Sequence, residues 1–360
     1  MQETAPFVIR RRRLRAGAMQ RCAFASIPNG DPPIRPNEPA EPATARRLRA
    51  IHLRASVYAT VRAFFAARGV LEVETPIMSE AANTEPNIES FATHFAGPVD
   101  GGPRQRWLRT SPEFPLKRLL AEGLGDCYEL GRVFRDGEAG RRHNPEFTML
   151  EWYRVGWDHR LLIAETAELV LAVLASIAVR ADIVQCTYRD LFFDMLGIDP
   201  FTATLDELRA PLASVRIDGD GLSRDDWLDL LLTHRLQPAF ACDRITVVRD
   251  FPSTQAALAR IRDGDPPVAE RFEFYLGANE LANGYHELTD AAEQRARFER
   301  DNARRRARGQ RELPIDERLL AALPRMPASA GVALGMDRLL MWLAGTDAIG
   351  DVLAFPFSDA

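Results

Sequence analysis

Residues 127–155 read CYELGRVFRDGEAGRRHNPEFTMLEWYRV. Two runs rich in apolar and aromatic residues, 127–135 and 146–155, flank a stretch of Gly, Arg, Asp and Asn. Apolar runs bounded by turn residues read as strands, so this stretch predicts two strands joined by a polar loop. The first strand ends at Arg135, whose planar paired donors suit a phosphate. The second opens beside Phe147, a ring able to stack on a base. Alone, the same residues equally describe a surface hairpin with solvated charges.

Working outward, Ile51, Tyr58, Val61 and Phe65 recur at helical spacing over 45–68, and Gly69 stands where a helix stops. Residues 70–76 alternate like a strand and end at Pro76. A short strand is predicted at 107–111 and a helix over 113–122. Downstream come an apolar helix at 160–180, a mixed helical insertion at 185–240, strands at 245–249, 270–276 and 280–289, a charged helix at 290–309, a strand at 331–336 and a helix at 337–345. Strand-rich segments with interspersed helices predict an α+β fold, an antiparallel sheet flanked by helices. Residues 1–44 differ: 11–15 read RRRLR and 28–42 are rich in Pro, Asn and Glu. They predict a poorly ordered tail before one large domain over 45–360.

The bulk properties narrow the class. Hydrophobic residues make up 46% and charged residues 27%, an ordinary globular balance. No apolar run reaches the length of a membrane span. The four cysteines are far apart, against a zinc ribbon or disulfide framework and in keeping with a reducing cytoplasm. The net charge of −5 does not suit a chain whose main task is gripping nucleic acid. Lys117 is the only lysine, for which base composition is the plain explanation.

Three further groupings carry chemistry. Glu273, Glu280 and Glu287 stand seven apart. A hairpin centred between Leu276 and Gly277 would set Glu273 opposite Glu280. That like-charge pair is destabilising unless a cation such as Mg²⁺ relieves it; an exposed acidic strand pair is the bland reading. Asn283-Gly284 would mark a bulge re-aiming Glu287 toward a pocket. The run GVALGMDR over 331–338 places small residues at alternate positions before a helix with Arg338 in its first turn, which lets a ligand approach the backbone, as does any Gly-containing core strand. Thr110-Ser111-Pro112-Glu113 and Glu151-Trp152-Tyr153 supply carboxylates and a phenol suited to a substrate with two amino groups. His143 and His286 read as hydrogen-bonding loop residues rather than metal ligands.

Each grouping is weak singly, but together and in this order they resemble the class II aminoacyl-tRNA synthetases, and within them the lysyl branch. The helix–strand–Pro76 unit is similar to motif 1, which in that family builds the dimer interface. Phe134-Arg135 through Glu151 resembles motif 2 and Gly331–Arg338 motif 3. ELANGYHE at 280–287 is similar to the lysine-pocket strand. Lysyl-tRNA synthetases carry an anticodon-binding barrel ahead of motif 1, for which 44 residues are too short. The stand-alone paralogues of the branch, which aminoacylate a protein, are therefore the better match. Two departures stand out. Gly137 occupies the place of the motif 2 glutamate, with Glu138 one later. Ala333 replaces a glycine, and its methyl would shift the backbone end of the amino acid, as a β-amino substrate requires.

The resemblance implies an ATP-dependent ligase. Arg135 and Arg338 act on the phosphates as the catalytic cations. Gly137, Glu138, Asn144, Phe147, Glu280, Leu281 and Gly335 complete the ATP site, with Phe147 stacked on adenine. Glu273 and Glu280 hold Mg²⁺. Ser111, Glu113, Glu151, Tyr153, Asn283, Glu287 and Ala333 bind the amino acid, (R)-β-lysine. The implied acceptor is a lysine of translation elongation factor P, in a cytoplasmic homodimer with no membrane and no tRNA as acceptor. Two other readings share these residues: a lysine-activating ligase with a tRNA acceptor, and a non-catalytic regulator that senses amino acid or nucleotide. The basic run Arg304-Arg305-Arg306-Ala-Arg308 reads either as a dock for an acidic partner or as a solvated helix end.

Overall fold

A computed structural model describes residues 43–98, 102–219 and 221–360, so the tail expected over 1–44 lies outside the described residues except at its end. The chain forms two compact units, one from the described residues up to Ala178 and from Gly284 onward, the other from Val179–Asn283. The first unit opens with α1 (Ala43–Ala66), β1 (Leu71–Glu72), β2 (Met78–Ser79), β3 (Ala92–His94), β4 (Gln105–Leu108), α2 (Glu113–Ala121), β5 (Cys127–Phe134), β6 (Glu146–Val155) and α3 (His159–Ser176). The second contains β7 (Asp182–Thr187), α4 (Tyr188–Leu196), α5 (Leu205–Arg209), α6 (Arg224–Leu231), β8 (Arg244–Pro252), β9 (Ile261–Arg262) and β10 (Val268–Leu276). β11 (Asn279–His286) carries the chain back into the first unit, which ends with α7 (Ala291–Ala307), α8 (Glu317–Ala322), β12 (Ser329–Gly335) and α9 (Met336–Leu343).

In the first unit β6 is the central strand, antiparallel to β5 on one side and to β12 on the other, with β1 parallel to β5. β6 is buried along most of its length, and its period of two sorts its side chains between two environments. Trp152 turns toward the helices: Phe65 of α1 meets its ring edge-on at 5.5 Å, and its Nε1 donates to Glu165 of α3 at 3.1 Å. Glu151 and Tyr153 point the opposite way. Gly69 ends α1 with φ of +67°, the left-handed conformation a glycine adopts freely. Val61 and Phe65 are buried as their spacing predicts, but Ile51 is exposed. The buried stripe runs through Ala50 and Val57 instead, one residue or about 100° around the helix. The strand expected over 70–76 shortens to two residues. Val73 still donates to Tyr128 O at 2.9 Å, but Pro76 has no N–H with which to extend the ladder.

The second unit is built on β8, which pairs parallel with β7 and antiparallel with β10; β9 adds to the start of β10. α4 is fixed beside it by Tyr188, stacked on Phe192 at 4.5 Å and set against Phe251 at 4.8 Å. Thr187 caps the start of α4 and Gly197, φ +71°, ends it. Capping boxes at Thr204–Glu207 and Ser223–Asp226 start α5 and α6. The helices expected over 185–240 lie within this unit. No helix among the described residues is long and apolar enough to cross a membrane.

Candidate active site

The inward face of β6 supplies Glu151 and Tyr153. In the β6–β12 register Ala333 stands opposite Glu151 and Gly331 opposite Tyr153. The Tyr153 hydroxyl and the Ser111 hydroxyl each donate to the Glu151 carboxylate at 2.6 Å. Ser111 Oγ also accepts from the Glu113 N–H at 2.9 Å, which fixes the first turn of α2. One turn along, Lys117 Nζ lies 2.5 Å from Glu113 Oε1 and 2.6 Å from Glu287 Oε2. Glu151, Tyr153, Lys117 and Glu287 are each at most 3% exposed.

Gly331 is what makes room for this arrangement. A Cβ there would fall 2.2 Å from the Tyr153 ring and 2.5 Å from Glu287 Oε1. That Glu287 oxygen is buried and has no hydrogen-bond partner among the described residues. A buried carboxylate oxygen left unmatched is costly and is suited to receive a cation.

The electrostatics follow from crowding three carboxylates together, two of them, Glu151 and Glu287, buried. Burial first, and then Glu113, push the Glu151 carboxyl up to about 7 against the pull of its hydrogen bonds and Lys117. Burial likewise raises Glu287 to about 8, although Lys117 opposes it. Burial works against the Lys117 ammonium, but Glu113 and Glu287 outweigh it and hold the group above the ordinary lysine value. Burial and the neighbouring Glu151 raise the Tyr153 phenol, which therefore stays a donor.

Elsewhere in the same unit lies the arginine cluster of the motif 2 loop. Arg135 N–H donates to Pro145 O at 2.9 Å, closing the base of the loop. The Arg135 guanidinium lies over the Phe147 ring at 5.1 Å and 3.7 Å from Glu138 Oε1. Gly137 has φ of +78°, a conformation in which any side chain is strained. The backbone thus accounts for the glycine found where the related pattern has glutamate. Arg338, in the first turn of α9, donates to His143 Nε2 at 3.2 Å. Burial and then Arg338 itself hold the His143 imidazole below its usual range, which keeps it a neutral acceptor. Asp337 accepts from Thr148 N at 2.6 Å and pairs with Arg54, anchoring the start of α9 to β6 and α1. Gly335 leaves its Cβ position in ordinary contact with Arg338. Asn144, expected to touch nucleotide, donates to Glu146 O at 2.6 Å and accepts from Phe357 N at 2.9 Å. Its amide ties the C-terminal segment to the motif 2 loop.

In the 179–283 unit Glu273 is buried and its carboxylate accepts from Arg271 and Tyr275. Burial raises its pKa; Arg271 opposes the shift and Glu280 adds to it. The expected hairpin register needs correction. β10 ends at Leu276 and β11 resumes at Asn279, so the turn is Gly277–Ala278, with Gly277 at φ +57°. A two-residue turn sets Glu280 against Tyr275 and Glu273 against Ala282, two pairs further on, so that Glu273 shares a face with Glu280 rather than facing it directly. Glu273 and Glu280, close enough for one charge to raise the other's pKa, are the carboxylate donor type that a hard divalent cation takes. Asn283 Oδ1 accepts from Arg271 Nε at 3.2 Å, and Leu281 is buried.

Sequence reasoning missed Lys117. Its spacing of four from Glu113, on a helix predicted over 113–122, was the available signal. Nothing local in the sequence joins either residue to Glu287.

An acidic pocket and arginines on a polar strand–loop–strand, carried by an antiparallel sheet, are the features of a class II synthetase domain. Residues 43–359 match the family model for tRNA synthetases class II (D, K and N), and the chain belongs to that family. Proteins named elongation factor P–(R)-β-lysine ligase are similar along most of its length. That of Proteus mirabilis is 47% identical over 307 residues, 84% of this chain and 93% of the relative. That of Vibrio cholerae is 46% identical over 316 residues, 85% and 95% of the two chains. That of Klebsiella pneumoniae strain 342 is 48% identical over 306 residues, 84% and 93%. Within its class the chain belongs with the elongation factor P–(R)-β-lysine ligases.

Proposed function

We propose that this protein activates (R)-β-lysine with ATP and transfers it to a lysine ε-amino group of translation elongation factor P. The observation that carries the amino-acid half of this reading is the acidic pocket. Glu151, Glu113 and Glu287 converge there, and a buried oxygen of Glu287 lacks a hydrogen-bond partner among the described residues. The acceptor half rests on the names of the relatives.

In the first step a substrate carboxylate oxygen forms a bond to the α-phosphorus, and the bond from that phosphorus to the bridging oxygen breaks, releasing pyrophosphate. Arg135 binds the α-phosphate and Arg338 the charge toward the γ end. Phe147 stacks on adenine, and Gly137, Glu138, Asn144, Leu281 and Gly335 shape the rest of the nucleotide site. The distal ammonium of the substrate meets Glu287, Glu151 and Tyr153; Glu113 and Ser111 hold the other amino group, with Asn283 and Ala333 at the backbone end. Glu273 and Glu280 would hold Mg²⁺, which supplies charge neutralisation to the polyphosphate. In the second step the acceptor amine attacks the acyl carbon, AMP leaves, and the amine loses a proton as the amide forms. Positioning and fixed charges account for such a transfer without a protein nucleophile. The working form is a cytoplasmic homodimer, with elongation factor P in place of tRNA.

The test is intact mass spectrometry of elongation factor P incubated with this protein, ATP, Mg²⁺ and either (R)-β-lysine or L-lysine, with bulk tRNA as competing acceptor. One lysyl increment on the factor, larger with β-lysine and insensitive to tRNA, is the expected result. Label on tRNA and none on the factor would overturn the acceptor; no ATP–pyrophosphate exchange at all would overturn the enzyme. Ala333→Gly should lower the preference for β- over α-lysine, and an unchanged ratio would remove Ala333 from specificity.

A further inference from the structure

Of the chain's 46 lysine and arginine residues a single one is lysine, and it is buried in the acidic pocket. The place asks for an ammonium rather than a guanidinium. Nζ lies within 2.6 Å of carboxylate oxygens from two different segments, Glu113 on α2 and Glu287 just after β11. A compact point charge fits between them, whereas a planar fork needs more room and more acceptors. The charged groups facing Lys117 are Glu113 on its own helix, Glu287, and Glu151 from β6, where the Tyr153 phenol completes the lining.

We propose that Lys117 is a specificity-determining counter-ion: a fixed internal cation that leaves the three carboxylates two positive charges short of balance. Two is the number of ammonium groups on a diamino acid. This inference rests on the reading of the pocket as the amino-acid site. A ligand with one ammonium leaves a buried carboxylate unmatched or protonated, and a ligand with two closes the balance. Discrimination through an unpaired buried group far exceeds what the fit of an apolar chain provides. Lys117 acts through Glu113 and Glu287, holding the first oriented and the second ionisable. A bridge that merely fastened α2 in place would not set the pH midpoint of lysine binding.

The test measures L-lysine binding by calorimetry from pH 6 to 9 for the wild type, Lys117→Met and Lys117→Arg. Without the internal cation the carboxylates are harder to ionise. Lys117→Met should therefore move the midpoint of lysine binding upward by about one pH unit or more. Its loss of affinity should be about tenfold or greater at pH 7 and should narrow toward pH 9. Lys117→Arg should keep the wild-type midpoint even if it binds more weakly throughout. A loss in Lys117→Met that is equal at every pH would overturn the proposal. If Lys117→Met does not fold, wild-type protein labelled at lysine Cε and Nζ decides, because it gives a single lysine signal. That signal should show an ammonium that does not titrate up to pH 10 and shifts when L-lysine binds. Titration below pH 10, or no response to lysine, would overturn the proposal. Failure of the wild type to bind L-lysine at any pH would sink the substrate reading together with this inference; an unmoved midpoint in Lys117→Met would sink this inference alone.

Discussion

The acidic pocket and the arginine cluster of the motif 2 loop share one compact unit and are built on opposite plans. In the pocket every charged group but Glu113 is almost completely buried, and the partners are other pocket residues at 2.5–2.6 Å. At the arginine cluster the side chains are partly open. Arg135 rests over a ring and 3.7 Å from Glu138, and Arg338 leans on a neutral histidine. The difference teaches where desolvation is met. In the pocket much of it is met on folding by neighbouring side chains, with a Glu287 oxygen left unmatched among the described residues. Under the proposed function the arginines would be completed by an anion and would gain most as phosphate charge develops.

That contrast is sharpened by two substitutions whose effects should not cross. Arg135→Ala should lower the rate of ATP–pyrophosphate exchange by about 10²–10³, the cost of removing one preorganised donor, and leave L-lysine affinity within a few-fold. Glu287→Gln should weaken L-lysine by about 10–100-fold, the worth of one charge-assisted hydrogen bond, and change ATP affinity little. An Arg135→Ala protein that lost lysine binding to the same degree would break the comparison.

The pocket should also respond to pH in two opposed directions. Glu151 and Glu287 have folded pKa values raised to about 7 and about 8, above the ordinary carboxylate range. Between that range and pH 8 the native state therefore holds protons that the unfolded chain has released. Stability of the free protein should fall as pH rises through this window. Affinity for a dication should instead rise, because binding requires the ionised carboxylates. Thermal melts with and without L-lysine from pH 5 to 9 check both signs: the free midpoint should fall and the lysine-induced shift should grow. A lysine-induced shift that stayed flat with pH would mean that these carboxylates do not meet the ligand.

How much of this the sequence revealed depends on how local each cause is. The span 146–155 is a strand to the residue, because its apolar run is bounded by Pro145 and Gly156. Gly69 ends its helix where expected because a left-handed residue is a local event. Ser111, Glu151 and Tyr153 were grouped from short motifs, and the structure brings their side chains into contact. The pairing of Lys117 with Glu287 was not legible, since it joins residues 170 apart in the chain and depends on how α2 packs. The hairpin register failed because the turn centre lies one residue later than expected, between Gly277 and Ala278, and both placements fit the sequence equally well. Gly331 was read as permitting a close ligand, and the structure adds that it also makes room for Tyr153 and Glu287.

The smallest expected effect concerns the motif 2 loop. Gly137 stands where the related pattern has glutamate, which invites the substitution Gly137→Glu as a repair. No atom of the described residues lies within 4 Å of the position a Cβ would take, so steric fit does not forbid it. The backbone does: at φ +78° a residue with a Cβ is strained by about 1–2 kcal/mol. Either the loop keeps its path and bears that strain, or it relaxes and moves Arg135 and Glu138, which lie 3.7 Å apart across it. Gly137→Glu should therefore lower stability by about 1–2 kcal/mol in urea unfolding and leave the KM for ATP the same or higher. Gly137→Ala should show the same stability loss, separating the backbone from the carboxylate. A lower KM for ATP in Gly137→Glu alone would show that the loop accepts the glutamate after all.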